Sequence, residues 1–428
     1  MRQTLVLIPQ AWLEGPLLIG WLLVGALIFA VMVWRQGWKV EAFNFLPVYA
    51  VVAAILYFVV PRIGITDINP ADPNGPEIKV GLAIRGYGVM MLAGIMAGVG
   101  MSVYRGQRQG IHGEKIVTLS FWMCVCGVIG ARLFYVIQKR DQFNGSISQM
   151  LGEMINMTQG GLVVYGSLIG ATLGGAFYLW RTKIPMLKMA DIAIPGMLTG
   201  LALGRIGCLL NGCCFGGVCD IPQIAQQFPA GSPPYVRQVE TGELLGIHPE
   251  KNQLQKPELP PRPSESDRFA KSIEKDSLAE KSGVQAKQWY SVGFTSNNPD
   301  KQLRAIKKRG LEINSAVAVQ QGDDWMSIPL ADLPDHSLGV YPTQILAAIN
   351  AALLAAMLWL YFPFRRRHGQ VFALGIVLYS ITRFLLELIR RDEAGQFGTS
   401  LTISQWVSIL VVAGGLALFA LAPRRESA

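Results

Sequence analysis

Nine apolar segments of helical length occupy most of this chain. A helix of about 20 apolar residues crosses the ~30 Å hydrocarbon core of a bilayer, and each segment approaches or exceeds that length. The whole chain is 51% hydrophobic and only 16% charged, which excludes an ordinary soluble enzyme. The sequence therefore predicts an all-α integral membrane protein, a helical bundle of about nine transmembrane helices. The predicted spans are 16–34, 43–60, 86–104, 116–137, 160–180, 192–210, 341–364, 371–389 and 401–421.

The basic residues of the loops predict how the spans are oriented. Lys and Arg cluster in alternate loops, near 35–39, 105–115, 181–188, 365–367 and 424–425. Since cytoplasmic loops carry the excess of basic residues, these loops are predicted to be cytoplasmic, with the N-terminus outside and the C-terminus inside. The first apolar segment lacks a small-residue cleavage site, so we expect no cleaved signal peptide. The net charge of +9 lies largely in these loops. This pattern predicts the topology and some attraction to anionic lipid, and no nucleic-acid partner.

A long polar segment, 220–338, interrupts the spans on the predicted outer side. Its first part, 222–263, is rich in Pro and predicts a linker. Its second part, 268–333, alternates short apolar runs with turn signals, which favours a small α/β or β-rich domain. The run Leu278-Ala-Glu-Lys-Ser-Gly-Val284 resembles part of a PDZ-type core. We expect this segment to be a solvated insertion without a catalytic part.

Charged residues inside the apolar spans are the strongest functional signal. Arg205 lies within 192–210 with no acidic residue within ten positions, and Arg132 lies within 116–137. A guanidinium at membrane depth costs several kcal/mol unless it meets a partner or a polar cavity. Either Arg205 extends to the interface beside a packed helix end, or it binds an anion. Because several cations are predicted near the outer leaflet, a phospholipid phosphate is the anion that fits best.

The eighth span places four polar side chains on one face. Tyr379, Arg383, Glu387 and Arg390 follow one another at spacings of four, four and three residues, which align on a helix. Arg383 and Glu387 then either pair along the helix as a purely structural contact or take part in anion binding.

Five motifs in this order resemble those of the prolipoprotein diacylglyceryl transferases, bacterial membrane enzymes that lipidate lipoprotein precursors. They are Arg85-Gly-Tyr-Gly88, Gly160-Gly-Leu-x-x-x-Gly166, Gly204-Arg-Ile-Gly-x-x-x-Asn-Gly212 followed by Gly216, Tyr341-Pro-Thr-Gln344, and Tyr379-x-x-x-Arg383-x-x-x-Glu387-x-x-Arg390. The family has seven spans, so the resemblance implies additions here. It implies two extra N-terminal helices and an outer loop in 1–80, a transferase core in 81–219 and 339–428, and an extracytoplasmic insertion in 220–338.

The resemblance also implies a reaction. The family transfers the diacylglyceryl group of phosphatidylglycerol to the lipobox cysteine thiol of a prolipoprotein signal peptide, at the cytoplasmic (inner) membrane of bacteria and without a cofactor or metal. Membrane lipid and these peptides are therefore the expected partners. The matched motifs imply catalytic roles for Arg205, Arg383, Tyr165 and Glu387, and substrate-binding roles for Tyr87, Arg132, Asn211, Gly212, Gly216, Tyr379 and Arg390.

This chain departs from the family pattern at the polar positions of its motifs. Cys208 and Cys213 stand where the family has Asn and Glu, and Tyr165 stands where it has His. Ile345-Leu346 replaces the usual Tyr-Glu. The four histidines all lie in predicted loops or in the insertion, so a histidine base is not expected. Glu387, Tyr165 and the substrate phosphate remain as alternatives for accepting the thiol proton.

The sequence is compatible with more than one role for its clustered cysteines and with a second function. The cysteines at 208, 213, 214 and 219 lack the paired C-x-x-C spacing of common zinc sites, so packing, a disulfide with Cys219, and a metal site are all compatible with them. The rival function is a transporter or lipid-binding scaffold that holds an anion with the same arginines and performs no chemistry. No internal repeat of the kind found in many transporters is evident.

Overall fold

A computed structural model of the chain describes residues 4–13, 15–36, 49, 53, 56–57, 65–67, 78–139, 161, 163–250, 267–294, 316–389, 399 and 401–421. Helices dominate the described part, with two β-sheets in addition. In chain order the elements are β1 (Thr4–Pro9), α1 (Gln10–Leu13), α2 (Pro16–Gln36), β2 (Ile65–Asp67), β3 (Ile78–Arg85), α3 (Gly86–Gln107), α4 (Gly113–Gln138), α5 (Val164–Arg181), α6 (Met186–Asn211), α7 (Pro233–Glu240), β4 (Ile247–Pro249), β5 (Arg268–Ile273), α8 (Leu278–Lys281), β6 (Trp289–Phe294), β7 (Ala316–Gln321), β8 (Asp324–Pro329), α9 (Thr343–Tyr361), α10 (Gln370–Ile389) and α11 (Ile403–Leu421).

Six helices of the described part are long and apolar enough to cross a membrane. These are α3, α4, α6, α10 and α11, together with α9 extended to Phe364. The chain is therefore a helical membrane protein. The predicted total of nine spans stays a prediction, because most of the second span, 43–60, lies outside the described residues.

The three-stranded sheet is a departure from the predicted all-α class, whereas the five-stranded sheet lies in the segment for which a small α/β or β-rich domain is predicted. The chain divides into two compact units, and both sheets belong to the unit formed by Met1–Val89 and Gly207–Pro342. One sheet has three antiparallel strands in the order β1-β3-β2. Strands β1 and β3 are each followed directly by a helix, so the helical pattern of the neighbouring segments concealed them.

The second sheet lies in the polar segment 220–338. It is an antiparallel meander in the order β4-β5-β6-β7-β8. Its apolar side chains form a core with those of α7, including Tyr235, Val239, Ile247 and Val319. Tyr290 is also in this core, and burial raises the pKa of its hydroxyl. This segment is thus a small β-rich body with its own hydrophobic core.

The other unit, Met90–Ile206 with Thr343–Ala428, is helical. Here α3 and α6 approach closely at glycines, as small residues allow between membrane helices. A Cβ atom on Gly94 would lie 2.8 Å from the carbonyl oxygen of Gly200, and one on Gly98 would lie 2.7 Å from that of Gly196. The close approach is therefore possible only with glycine at these positions. It fixes the position of α6, the helix that carries Arg205.

A buried polar cluster joins the first half of α6 to the start of α10. The carboxylate of Asp191 is fully buried and accepts hydrogen bonds from the backbone N–H groups of Gly369 (2.8 Å) and Phe372 (2.9 Å). Asp191 thus caps the N-terminus of α10 from a distant part of the chain, where a negative charge is favoured. The Nε atom of Arg365 lies 3.6 Å from the carboxylate, and its NH2 donates to the side chain of Gln109 (2.9 Å).

We expect Asp191→Asn to destabilise the protein by about 1.5–3 kcal/mol, the range for a hydrogen bond to a charged group. The amide keeps one acceptor for α10 but removes the charge that faces Arg365. Thermal unfolding of the detergent-solubilised protein measures the effect. Asp220→Asn is the control, because Asp220 is exposed. Equal melting temperatures for the two variants would contradict a structural role for this carboxylate.

Candidate active site

Arg205 lies near the C-terminal end of α6 and is half-buried. Within the part of the chain that the structure describes, its guanidinium has no hydrogen-bond or ion-pair partner, in contrast to Arg365 and Arg383. The five donors of this guanidinium are thus available to a ligand. This is the arrangement expected of an anion-binding arginine and not of a helix-stabilising one.

An open apolar groove of about 580 Å³ lies along the same stretch of α6. Ala202, Leu203 and Ile206 contribute from the residues on either side of Arg205. The rest of the lining comes mainly from small side chains of α9 and from Met101, Thr199 and Trp359. Arg105 holds Trp359 in place, since its guanidinium lies 3.6 Å from the ring centroid and donates to the Trp359 carbonyl (2.9 Å). An apolar groove of this size matches a hydrocarbon chain.

Sequence reasoning missed this groove. The alanines of α9 that line it, Ala348, Ala352, Ala355 and Ala356, look like ordinary membrane-helix residues. Their small size at spacings of three and four residues was the available signal, because such a row leaves a depression on one helix face.

Helix α10 brings together two of the predicted catalytic residues. Arg383 forms an ion pair with Glu387 one turn along the helix. The side chain of Glu387 is 2% exposed and that of Arg383 is 19% exposed, so the pair is buried on the carboxylate side. Tyr379 is partly buried against the apolar core. The helical pairing predicted as one alternative is present, and Arg383 keeps further donors beyond it. Arg390 lies outside the described residues.

Arg132 is buried and makes a hydrogen bond and a ring contact with nearby residues. Its NH1 donates to the carbonyl of Gly161 (3.1 Å), and its guanidinium lies 5.1 Å from the ring centroid of Tyr135. Gly161 has a left-handed backbone conformation, φ 79°, which presents its carbonyl to this arginine. Arg132 therefore holds the backbone at Gly161, three residues before α5 begins. Tyr165, at the start of α5, is 43% exposed.

The other predicted binding residues belong to the unit that contains the sheets. Gly212 ends α6 with φ 76°, a conformation that glycine adopts without strain. Gly216 donates its N–H to the Tyr341 carbonyl (3.1 Å), and Tyr341 donates to Gly217 (3.0 Å). The loop after α6 thus pairs with the start of the Tyr341-Pro-Thr-Gln344 motif, so two motifs distant in sequence are joined. The side chain of Tyr87 is 37% exposed.

Three of the four clustered cysteines converge in space. The sulfur atoms of Cys208, Cys213 and Cys214 all lie within 4.8 Å of one another. None of these three cysteines forms a disulfide in the described structure, nor do Cys219 and the two cysteines of α4. Cys219 is not part of the convergence, and its thiol lies 3.4 Å from the Ile221 carbonyl. The sequence spacing does not choose between packing, a disulfide and a metal site, because the convergence depends on the backbone turn after α6.

The described structure thus combines an unpaired arginine, an apolar groove lined by other residues of the same helix, and a buried Arg–Glu pair on another membrane helix. The convergence of Arg132, Arg205 and Arg383 on one phosphate stays a prediction.

Comparison with known proteins agrees with the motifs. The family model described as prolipoprotein diacylglyceryl transferase matches residues 77–421. The phosphatidylglycerol–prolipoprotein diacylglyceryl transferase of Rhodopirellula baltica is 36% identical over 97% of this chain and 88% of its own length. Transferase 2 of Clostridium perfringens is 24% identical over 79% of this chain and 91% of its own length. The chain therefore belongs to the prolipoprotein diacylglyceryl transferase family.

Proposed function

We propose that this protein transfers the diacylglyceryl group of phosphatidylglycerol to the lipobox cysteine of prolipoproteins. The observation that carries the proposal is the half-buried Arg205, which has no partner among the described residues and lies in a membrane helix that also lines an apolar groove, through Leu203 and Ile206. A lipid offers a phosphate for the guanidinium and an acyl chain for the groove. The names of the relatives state the same two substrates.

The chemistry requires that charge on the leaving group be stabilised. The thiol sulfur forms a bond to the terminal glycerol carbon, and the C–O bond to phosphate breaks with its electron pair leaving on oxygen. The product phosphate gains negative charge as this happens. A guanidinium fork aimed at the phosphate oxygens stabilises the transition state more than the ground state. We assign this role to Arg205 and Arg383, and we assign Arg132 and Tyr379 to shaping the lipid site.

The proton of the thiol needs an acceptor. Glu387 is buried, and its carboxylate is already occupied by the ion pair with Arg383. This pairing supports a positioning role for Glu387, which orients Arg383. Tyr165 and the substrate phosphate are the other groups that the resemblance suggests, and Tyr165 is exposed at the start of α5.

Filling the groove is expected to weaken lipid binding. Ala356 is exposed and lines the groove, so Ala356→Trp places an indole where an acyl chain would lie. We expect kcat/KM for phosphatidylglycerol to fall about tenfold, equivalent to ~1.4 kcal/mol, without loss of folded protein. Leu353→Trp is the matched control, since Leu353 is 66% exposed on the same helix and is not among the groove-lining residues. Equal activities of the two variants would argue against an acyl chain in this groove.

One assay separates the transferase from its rival. The purified protein is incubated with phosphatidylglycerol vesicles and a lipobox peptide, and both released glycerol phosphate and lipidated peptide are measured. A transferase yields the two products in equal amounts. A transporter or scaffold that only binds lipid through the same arginines releases neither, and that result with folded protein would refute the proposal.

We also propose the bacterial cytoplasmic (inner) membrane as the location, with the segment 220–338 on the outer face. The alternating basic loops support this orientation. Arg366→Cys and Ser264→Cys, tested with a membrane-impermeant thiol reagent, should be labelled from opposite sides. Labelling of both from the same side would show that the orientation is wrong.

A further inference from the structure

A polar pair links α9 and α10 one residue before Arg383. The side-chain amide of Asn350 on α9 donates a hydrogen bond to the hydroxyl oxygen of Thr382 on α10 (2.9 Å). Both residues are half-buried, and both lie inside helices that are long and apolar enough to cross a membrane. Polar side chains at such positions are costly, so they are retained where they have a partner and a function.

The Thr382 hydroxyl connects this pair to the backbone of its own helix. Its oxygen lies 3.0 Å from the carbonyl oxygen of Tyr379 and 3.1 Å from that of Leu378, and the hydroxyl donates to these carbonyls. In an α-helix, the carbonyl of Tyr379 also accepts the N–H of the residue four positions later, which is Arg383. A threonine hydroxyl that bonds to a carbonyl of the preceding turn bends the helix slightly. The hydroxyl therefore acts on the turn that carries two predicted site residues, Tyr379 and Arg383.

Arg383 is restrained from both directions along α10. The turn before it is held by Asn350 through Thr382, and the turn after it carries Glu387, the buried partner of its ion pair. A displacement of about 1 Å at a reacting group can reduce a rate about 100-fold. A guanidinium that must meet the leaving phosphate therefore benefits from both restraints.

Asn350 also connects this turn of α10 with the helix that lines the apolar groove. It lies two positions from Ala348 and two from Ala352, which both line the groove, so its side chain leaves α9 on the opposite side. One face of α9 thus contributes to the groove, and the other bonds to the helix of Arg383. The hydrogen bond fixes how the two helices are rotated against each other.

A bond that serves only the fold is the competing explanation. Interhelical hydrogen bonds stabilise membrane bundles modestly, because helices that have separated in the membrane find other partners. Apolar side chains of the same shape at both positions would fill this interface without any polar group that needs a partner. A positioning role accounts for the location of the pair at the turn that holds Arg383, whereas a role in the fold alone does not.

We propose that Asn350 and Thr382 are positioning residues, which hold the turn of Arg383 so that its guanidinium meets the leaving phosphate. This inference rests on the proposed transferase function. Neither residue makes or breaks a bond of the substrate, and both act through Arg383. Their loss should lower kcat and leave KM for phosphatidylglycerol nearly unchanged, because the restraint serves the transition state and not lipid binding.

Single variants of the full-length protein in detergent test the hydrogen bond. Asn350→Leu and Thr382→Val remove it at similar side-chain size, and each should lower kcat at least about tenfold with KM changed less than about twofold. Thr382→Ser keeps the hydroxyl and should retain kcat. Ser408→Ala is the matched control, since the Ser408 hydroxyl donates to the Ser404 carbonyl within α11 (2.8 Å). Unchanged kcat in well-folded Asn350→Leu and Thr382→Val proteins would overturn the inference.

A double-variant cycle with Arg383 separates positioning from a role in the fold. If Asn350 acts through Arg383, adding Asn350→Leu to Arg383→Lys should change the residual kcat by less than about twofold. A defect of the fold would lower it by the same factor as in the wild-type background. Equal losses in the two backgrounds would therefore overturn the inference while leaving the proposed transferase function intact. A folded wild-type protein without transferase activity would instead refute the proposed function itself.

Discussion

Arg205→Ala is expected to reduce turnover at least about 100-fold while leaving the folded yield unchanged. The loss follows because the charge that develops on the leaving phosphate loses its partner in a site of low dielectric constant, where such an interaction is strongest. The folded yield should hold because the guanidinium makes no hydrogen bond or ion pair with any residue that the structure describes. Arg205→Lys should recover little, since Lys keeps the charge but loses the planar fork that matches phosphate.

The measurement is product formation per folded molecule, with the folded fraction determined by size-exclusion chromatography. Arg181→Ala is the control, because Arg181 is an exposed arginine at the end of α5. Normal turnover in a well-folded Arg205→Ala protein would remove the phosphate clamp from the mechanism.

Arg383→Ala is expected to affect stability as well as turnover. It leaves the carboxylate of Glu387, whose side chain is 2% exposed, buried without its partner. Breaking a buried ion pair from one side costs about 3–5 kcal/mol. Turnover per cell would therefore fall for two reasons, and the single variant cannot separate them.

Two further variants separate the structural role from the catalytic one. Arg383→Lys keeps an ion pair with Glu387, so stability should be largely retained while turnover falls. The double variant Arg383→Met with Glu387→Met replaces both charges by apolar groups, which is often neutral or stabilising for a buried pair. We expect it to fold normally and to be inactive. Unfolding in detergent and product formation are measured side by side. Substantial turnover by the folded double variant would show that the pair serves the fold alone.

Much of this protein is readable from local sequence patterns. Apolar segments of about 20 residues predict membrane helices regardless of what packs on them, because the bilayer itself is the solvent. The pairing of Arg383 with Glu387 also follows from local geometry, since residues four apart lie on one helix face. Arg205 also stands out in the sequence, because it is a charged residue in an apolar segment without an acidic residue nearby.

Other features depend on residues that meet only after folding. Asp191 caps α10 by accepting the N–H of Gly369, 178 residues later in the chain, and no periodicity connects the two. The apolar groove exists because small side chains of α9 lie opposite residues of α6, which requires the packing of both helices. The three-stranded sheet pairs Thr4–Pro9 with Ile78–Arg85, although two predicted spans separate these strands in the sequence.

The cysteines show most clearly the difference between what the sequence determines and what folding determines. Their sequence spacing is compatible with packing, a disulfide or a metal. The backbone turn at Gly212 and the left-handed conformation of Cys214 bring three sulfur atoms within 4.8 Å of one another and leave Cys219 outside the group. The sequence determines which residues lie in the membrane, because each residue's transfer into lipid depends on its own hydrophobicity. The tertiary structure decides which polar groups meet, because that depends on backbone turns and on contacts between distant parts of the chain.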